Sequence, residues 1–428
     1  MSNVLPQGWE EDIIENISLK VFSGGTPNTR NELFWNGKFN WLSSGETRNK
    51  YIISTEKTIT QDGVDNSSTK LALPNDILIA SAGQGNTRGQ TAFCMIETYF
   101  NQSLINIRIN TEKAYPKYIF YNISSRYSEL RQLSDGHSIR GSLTTKIINK
   151  LTIKFPIDIN EQKRIADILS AFDDKIELNN QMNQTLEDMA TTLFKEWFEN
   201  FNFPNEQGKP YKDNDGEMKS SELGDIPVDW EVKYLKEISE TISKGTTPKK
   251  NEVDGLDSNV YFLKVKDINN DGTIEFSSLE KIPMEVHQKQ LKRSILKTDD
   301  ILVSIAGTIG RTSIVPSSLD DSNCNQAIAF IRLKNKNVFK KFIYQWIRTL
   351  EAQNRIQSGI VQGVQANVSL TTLGDLKIIL PSDLIMNKFN SLINPIFEQI
   401  QQNQQQNQTL KKQRDTLLPK LMSGEIRV

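Results

Sequence analysis

Two long stretches of the chain have the hydrophobic periodicity of amphipathic helices. In residues 160–200 and 384–422, which contain no glycine, apolar side chains recur at helical spacing. With Ile165 taken as heptad position a, positions a and e of the first stretch are mostly apolar, and the same frame fits the second stretch 224 residues later. Each stretch predicts a helix of about 40 residues and ~60 Å. Because each helix must bury its apolar stripe, we expect a two-stranded coiled coil.

The centre of each predicted helix interrupts the apolar stripe with asparagine. Positions a and e hold Asn179 and Asn183 in the first helix and Asn403 and Asn407 in the second. A buried asparagine fixes register at some cost in stability. Parallel and antiparallel packing would both align these residues; we favour antiparallel packing, which places one domain at each end and brings the termini together. The Gln- and Asn-rich tract 399–408 has a competing interpretation as disordered low-complexity sequence.

The segments outside the helices repeat one another. Trp230 lies 221 residues after Trp9, and further matches follow in the same order along the chain. Colinear matches at a nearly constant offset indicate a tandem duplication. Short apolar runs between Gly-, Asn- and Thr-rich loops predict that each copy is a mixed α/β domain. The matches are PQGW with PVDW (6–9 and 227–230), SGGTP with KGTTP (23–27 and 244–248), Asp76–Leu78 with Asp300–Leu302, Asn101–Gln102 with Asn325–Gln326, and Ser142–Thr145 with Ser369–Thr372.

These patterns predict an α+β fold. We expect two mixed α/β domains, related by a pseudo-two-fold axis and separated by an antiparallel coiled coil of two long helices. The segment between the halves is assigned as a linker from its polar, turn-rich composition. The expected division is domain 1 at 1–158, long helix 1 at 159–200, the linker at 201–223, domain 2 at 224–382 and long helix 2 at 383–428.

Composition limits the classes of function. The 428 residues include 51 Lys and Arg against 52 Asp and Glu, a net charge of −1, which argues against coating nucleic acid through bulk positive charge but leaves local patches open. Two cysteines and two histidines are too few for a disulfide framework or a Cys/His zinc site, so we expect no metal. The sequence lacks an apolar run of ~18 residues and a signal-peptide pattern, which predicts a cytoplasmic protein without membrane contact.

Motifs that resemble catalytic sites fail on spacing or composition. Asn394–Phe397 is similar to the tetrad with which adenine methyltransferases hold a flipped base, but it lacks the second proline. Gly307–Thr312 has two residues between its glycines, whereas a phosphate-binding loop has four. No Ser/His/Asp or Cys/His arrangement can be identified in the sequence. We therefore expect neither a catalytic residue nor a cofactor bound by this chain.

Loops of the mixed domains carry the candidate binding residues. Arg88 and Arg311 each lie at the tip of a glycine-rich loop after a predicted strand. Glycine lets the backbone approach a phosphate, and arginine can contact phosphate or guanine through two hydrogen bonds. For each candidate the competing interpretation is a solvated surface side chain. The candidates for nucleic-acid contact are Thr26, Pro27, Arg88, Arg140, Lys244, Thr247, Pro248, Lys264, Lys266 and Arg311.

Three segments resemble a known family. They are similar to the conserved regions of the specificity (S) subunit of type I restriction-modification enzymes, and the resemblance extends from the PQGW start to the last helix. It implies two target-recognition domains separated by an antiparallel coiled coil. The segments are EQKRIADILSAFDDKIEL from residue 161, SELGDIPVDW from residue 221 and RDTLLPKLMSGEI from residue 414.

The resemblance also implies a function. In that family each target-recognition domain reads one half of a bipartite, asymmetric site in double-stranded DNA, and the coiled coil sets the half-site spacing. Two modification subunits bind the specificity subunit, carry S-adenosylmethionine and methylate adenine; restriction subunits, where present, use ATP and Mg. We expect a non-catalytic subunit of this kind. The alternatives are a coiled-coil adaptor that binds only protein, and a self-sufficient DNA methyltransferase or nuclease.

Overall fold

The computed structural model describes residues 5–83, 85–135, 141–249, 257–361 and 367–428. The chain divides into two units. Unit 1 comprises Met1–Asn180 and Gln404–Val428, and unit 2 comprises Gln181–Asn403. The two long helices are α6 (Ile159–Phe194) and α12 (Asp383–Met422). Each helix has one part in unit 1 and the other part in unit 2.

Unit 1 contains a mixed α/β domain and parts of both long helices. Its strands pair in the orders β2-β10-β7-β8-β4, β5-β3-β9-β6 and β1-β11. The strands are β1 (Trp9–Ile13), β2 (Ser18–Ser23), β3 (Trp35–Leu42), β4 (Tyr51–Ile52), β5 (Lys57–Ile59), β6 (Lys70–Ala72), β7 (Ile77–Ala80), β8 (Thr91–Cys94), β9 (Thr98–Phe100), β10 (Leu104–Ile109) and β11 (Thr152–Pro156). The short helices are α1 (Ile14–Ile17), α2 (Gln61–Asp65), α3 (Pro116–Ser124), α4 (Tyr127–Asp135) and α5 (Thr145–Asn149).

The core of unit 1 forms around the apolar run that follows Asp76. This run is β7, which is buried along its whole length because β8 and β10 flank it in the sheet. Side chains of α3 pack in the same cluster, which Ile165 and Leu169 of α6 and Leu421 of α12 complete. The long helices are therefore part of the hydrophobic core of this unit.

Unit 2 has its own set of sheets. Its strands pair in the orders β15-β21-β18-β19, β17-β16-β20, β14-β24, β12-β13 and β22-β23. The strands are β12 (Met218–Ser221), β13 (Gly224–Pro227), β14 (Glu231–Tyr234), β15 (Ser239–Lys244), β16 (Ser258–Leu263), β17 (Glu280–Pro283), β18 (Ile301–Ser304), β19 (Thr312–Ile314), β20 (Asn323–Cys324), β21 (Ile328–Leu333), β22 (Ile360–Val361), β23 (Asn367–Val368) and β24 (Lys377–Leu380). The short helices are α7 (Leu235–Ile238), α8 (Met284–Gln288), α9 (Lys336–Arg348), α10 (Leu350–Ser358) and α11 (Leu370–Gly374).

Unit 2 repeats the strand orders of unit 1, as the duplication in the sequence predicts. The order β15-β21-β18-β19 repeats β2-β10-β7-β8, the order β17-β16-β20 repeats β5-β3-β9, and the pair β14-β24 repeats β1-β11. A buried ion pair recurs as well: Arg108 contacts Asp76 at 2.7 Å in unit 1, and Arg332 contacts Asp300 at 2.7 Å in unit 2. The prediction of two related mixed α/β domains is confirmed.

The segment 201–223, predicted to be a linker, is folded onto the rest of unit 2. After α6 the chain makes a π-helical turn, Lys195–Glu199, and then buries Phe201 and Phe203. The ring of Phe203 stacks on buried Trp230 at a centroid distance of 5.0 Å. Because polar residues surround these two phenylalanines, the composition of the segment did not indicate that they would be buried.

In unit 1 the paired parts of the two long helices run antiparallel. Asn179 Nδ2 donates to Oδ1 of Asn407 at 2.8 Å, and Arg414 Nη1 donates to Oδ1 of Asp173 at 2.6 Å. The partner number on α12 thus falls as the number on α6 rises. Asn179 is fully buried, and Asn407 also donates to Oδ1 of Asn180 at 2.9 Å. The antiparallel pairing is confirmed.

Unit 2 shows the same direction of pairing. Asn403 Nδ2 donates to Oδ1 of Asn183 at 2.8 Å, and further along α6 the ring of Phe194 packs on that of Phe389. The tract 399–408 lies within α12 and is helical, in contrast to the low-complexity interpretation. The four asparagines contact one another in pairs within the units, and their role in setting the register stays a prediction.

Candidate nucleic-acid interface

The structure places Arg88 inside unit 1 and not at the tip of its glycine-rich loop. Arg88 is 8% exposed, and its guanidinium forms an ion pair with Asp135 at the end of α4. Gly141, at φ +60°, packs so closely that a Cβ there would lie 1.9 Å from Nη1 of Arg88. Arg131 holds the loop from the same helix by donating to the carbonyl of Gly85 at 2.9 Å. The guanidinium is therefore held against Asp135 and Gly141 and has little contact with solvent.

Arg311 also binds its own domain. Its Nη1 donates to the backbone carbonyls of Val265 at 3.3 Å and Ile268 at 2.8 Å, and its backbone N–H donates to Oγ of Ser304 at 2.8 Å. Arg311 therefore fixes the loop that follows β16, whereas Arg88 pairs with a carboxylate. The two arginines do not form a matched pair of exposed tips, and a DNA contact by either residue stays a prediction.

Lys264 and Lys266 lie in the loop that Arg311 fixes, and both contact Glu280 at the start of β17. Their Nζ atoms lie 2.6 and 3.4 Å from the Glu280 carboxylate. Hydrogen bonding to Lys264 holds the pKa of the Glu280 carboxyl below its ordinary value, despite partial burial. Because Lys266 keeps more than half of its side chain exposed, a phosphate could compete with Glu280 for it.

Two loops, at residues 24–27 of unit 1 and 245–248 of unit 2, have equivalent contacts; we call them the Gly-Thr-Pro loops. The hydroxyl of Thr26 donates to Oε1 of Gln102 in unit 1, and the hydroxyl of Thr247 donates to Oε1 of Gln326 in unit 2. Both glutamines are exposed. The sequence repeat contains these glutamines, but sequence reasoning did not nominate them because nothing in it showed their contact with the threonines.

The remaining candidates are less accessible or lie outside the described residues. Pro27 is buried, and Pro248 and Lys244 are half-buried. Lys244 is the last residue of β15 and precedes the loop that carries Thr247. Arg140 lies outside the described residues.

An aromatic surface on unit 1 was missed by sequence reasoning. The half-buried ring of Trp35 packs edge to face at 5.0 Å on the buried ring of Trp41, which lies on the same strand, β3. Lys57 Nζ lies 5.6 Å from the centroid of Trp35. On the same strand, the half-exposed ring of Phe39 meets Tyr99 at 5.8 Å. Aromatic rings next to lysines are suited to contact with bases and phosphates. Their alternation along WNGKFNW is the signal that could have identified them.

A buried polar cluster joins the mixed domain of unit 1 to both long helices. Asp173 of α6 accepts from Lys50 at 2.6 Å, from the hydroxyl of Tyr121 at 2.5 Å and from Arg414 of α12 at 2.6 Å. Burial alone would raise the pKa of the Asp173 carboxyl, but these donors outweigh it and hold that pKa below its ordinary value. Burial lowers the pKa of Lys50, although Asp173 opposes the shift. The cluster connects structural elements and offers no nucleophile.

Within the part of the chain that the structure describes, no group of three or more His, Cys, Asp or Glu side chains could hold a metal ion. No helix in the same ranges is both long enough and apolar enough to cross a membrane.

Known proteins provide an independent comparison. A family model described as the type I restriction modification DNA specificity domain matches residues 6–188 and 227–412. The chain is 31% identical to the type I restriction enzyme MjaIX specificity subunit of Methanocaldococcus jannaschii, over 99% of this chain and 95% of that protein. The HindI specificity subunit of Haemophilus influenzae is 25% identical, over 98% and 99%. Among solved structures, the S subunit of a type I restriction-modification system from M. genitalium matches with a TM-score of 0.56 and 18% identity, over 98% of this chain and 97% of that chain.

Proposed function

The chain belongs to the family of type I restriction-modification DNA specificity subunits, and we propose that each of its mixed domains reads one half of a bipartite, asymmetric DNA sequence. The observation that supports this most is a shared strand order with unlike surfaces. Unit 1 carries the partly exposed rings of Trp35, Phe39 and Tyr99, whereas unit 2 presents Lys264 and Lys266. Two domains of one fold with different surface chemistry suit two different half-sites.

The spacing of the half-sites would come from the paired helices. α6 has 36 residues and α12 has 40, and each passes without a break from one unit into the other. A continuous helix advances ~1.5 Å per residue, so its length is a fixed physical quantity. Removing one heptad from each helix keeps the a and e positions in frame and shortens the pair by ~10 Å, or about three base pairs at ~3.4 Å each.

The methylation chemistry would come from two modification subunits that dock on this chain and carry S-adenosylmethionine; restriction subunits, where present, would bring ATP and Mg. A site for one such contact is available on α6. Met182 and Met189 occupy heptad position d, seven residues apart, and are 39% and 53% exposed. Large exposed apolar side chains on one helix face are typical of protein contacts. This chain would supply sequence recognition and no catalytic group.

The test uses the chain with and without its cognate modification subunits. We expect the chain alone to transfer no methyl group, and the assembled complex to methylate adenine in one sequence that methylome sequencing of cells defines. Footprinting of the complex should show two protected patches with an unprotected gap, and the heptad deletion should shorten the permitted gap. Assembly without any DNA protection would support the protein-only adaptor instead. Methyl-donor binding by the isolated chain would support a self-sufficient methyltransferase.

A further inference from the structure

Several side-chain contacts recur in both units at the offset of the duplication. The ion pair of Arg108 with Asp76 recurs in unit 2, and the carboxylate cap of the loop after β3, made by Glu46, recurs after β16. Asp76 and Glu46 are buried, so folding alone explains why these contacts are repeated. Other recurrent contacts lie at the surface. One is the hydrogen bond from Lys113 to the carbonyl of Asn16, which is repeated by Lys334 and Glu237. The other is the hydrogen bond from Thr26 to Gln102, which is repeated by Thr247 and Gln326 and, unlike the first, joins two side chains.

The backbone already holds the Gly-Thr-Pro loops in place. In unit 1 Gly25 N–H donates to the carbonyl of Phe100 at 2.9 Å, and a Cβ on Gly24 would lie 2.1 Å from the same oxygen. In unit 2 Thr246 N–H donates to the carbonyl of Cys324 at 3.1 Å, and a Cβ on Gly245 would lie 2.0 Å from it. Because the close packing of the glycine backbone fixes both loops, the exposed threonine–glutamine bond is not needed for their shape.

The bond holds each glutamine amide against its loop. In both units the threonine hydroxyl donates to Oε1, and in this arrangement the amide Nε2 points away from the loop. In the ranges that the structure describes, neither Nε2 has an acceptor within unit 1 or unit 2. Each unit therefore presents an oriented pair of N–H donors at its surface. Phosphate oxygens are acceptors only and match such a group.

Two domains that read different half-sites meet different bases. What the two half-sites have in common is the DNA backbone, so a contact repeated in both domains is suited to the backbone. We propose that Gln102 and Gln326, each positioned by its threonine, donate to DNA phosphates and form one sequence-independent anchor in each unit. The anchor rests on the proposed function, since it presupposes that both units bind DNA. Base recognition then falls to surfaces that the units do not share, such as the aromatic surface around Trp35.

The test measures binding of the assembled complex to three duplexes: the methylated sequence, the same duplex with one half-site scrambled, and one with the other half-site scrambled. We expect Gln102→Leu to weaken binding to all three about tenfold, the loss typical of one hydrogen bond to a charged group. The methylated sequence should stay unchanged. Phosphate-ethylation interference should disappear at one position in a single half-site, and Gln326→Leu should remove it in the other. Because glutamine is uncharged, the slope of log Kd against log salt should also stay unchanged.

Thr26→Val removes the hydroxyl that positions Gln102 and should weaken binding as Gln102→Leu does. Thr26→Ser keeps a hydroxyl and should bind like the wild type. Asn269→Ala is the matched control: it removes an exposed amide-to-hydroxyl bond to Thr273, 2.9 Å long, that has no equivalent in unit 1. This control should bind all three duplexes like the wild type. Equal unfolding temperatures of the variants and the wild type would show that the fold is intact.

Three results would overturn the anchor. They are a changed methylated base, which would make Gln102 a base reader; unchanged binding, which would leave it without a DNA role; and loss of a modification subunit from the purified complex, which would assign the pair to a protein contact. A wild-type complex that protects no DNA would instead contradict the proposed function itself, so the two failures can be distinguished.

Discussion

The carboxylate of Asp173 provides the sharpest test of how unit 1 is held together. The change Asp173→Asn keeps the shape of the side chain but removes its charge. It thereby leaves Lys50 without its ion-pair partner and Arg414 with only the exposed carboxylate of Asp415. These two cations are 28% and 18% exposed, so water compensates them only in part. Removing one partner of a buried ion pair typically costs 3–5 kcal/mol; with this residual access to water we expect a loss of about 3 kcal/mol.

Hydrogen exchange measured by mass spectrometry suits this prediction because it reports local free energies of opening. Peptides of α3, β4 and the paired part of α6 should lose protection, and peptides of unit 2 should not. The difference between wild type and variant should also depend on pH. The pKa of Asp173 lies below the ordinary 3.8 in the folded chain, so its contribution is complete above that value and is lost as the pH falls through the folded-state pKa.

Glu187→Gln is the matched control. Glu187 of α6 accepts from Arg348 at 2.7 Å within unit 2, and both side chains are largely buried. Glu187→Gln should lower hydrogen-exchange protection only in unit 2, whereas Asp173→Asn should lower it only in unit 1. Protection of unit 1 in Asp173→Asn within ~0.5 kcal/mol of wild type would refute the reasoning, and so would an equal loss in both units.

Other changes test single contacts. Asn179→Leu deprives the buried Oδ1 of Asn407 of its donor and should cost about 1–3 kcal/mol by thermal unfolding, whereas the double change with Asn407→Leu should recover most of the loss. Burial lowers the pKa of Lys341 to about 8, below the unfolded 10.5, so urea unfolding should show Lys341→Met stabilising unit 2 at pH 7 and the advantage shrinking as the pH rises above 8. Gly245→Ala would force a Cβ to within 2.0 Å of a carbonyl oxygen and should cost about 1–3 kcal/mol by thermal unfolding. Gly374→Ala would place its Cβ 3.5 Å from Cβ of Lys236, an ordinary contact, and should stay within ~0.5 kcal/mol.

The long helices and the duplication could be predicted because their signals are periodic over many residues. Forty residues of heptad pattern constrain a helix far more than any short motif does, and the asparagines at the centre indicated which segments meet. The mixed domains could be predicted only as a class. Their strand order depends on pairings between distant residues, such as β2 with β10, that no local pattern specifies.

The contact residues were harder to predict, because a side chain turns toward whichever partner the fold supplies. Asp135 lies 47 residues after Arg88 in the chain, and the carbonyls that hold Arg311 lie more than 40 residues before it. A glycine-rich loop followed by arginine gives the same sequence signal whether the guanidinium points outward or inward. Gln102 belongs to the sequence repeat but to no binding motif, and its contact with Thr26, repeated by Gln326 and Thr247, distinguishes it from other surface glutamines.

The two copies of the duplication differ in the side chains by which the mixed domains contact the long helices. In both units the ion pair to the mixed domain takes its carboxylate from α6, Asp173 in unit 1 and Glu187 in unit 2, although a strict repeat would place the second on α12. The residue of α12 that corresponds to Asp173 is Phe397, and it packs edge to face on Tyr344 at 5.7 Å. The two docking contacts therefore differ in chemistry, polar in one unit and partly aromatic in the other. A mixed domain moved from one unit to the other would therefore meet a different side chain at this contact with the helix.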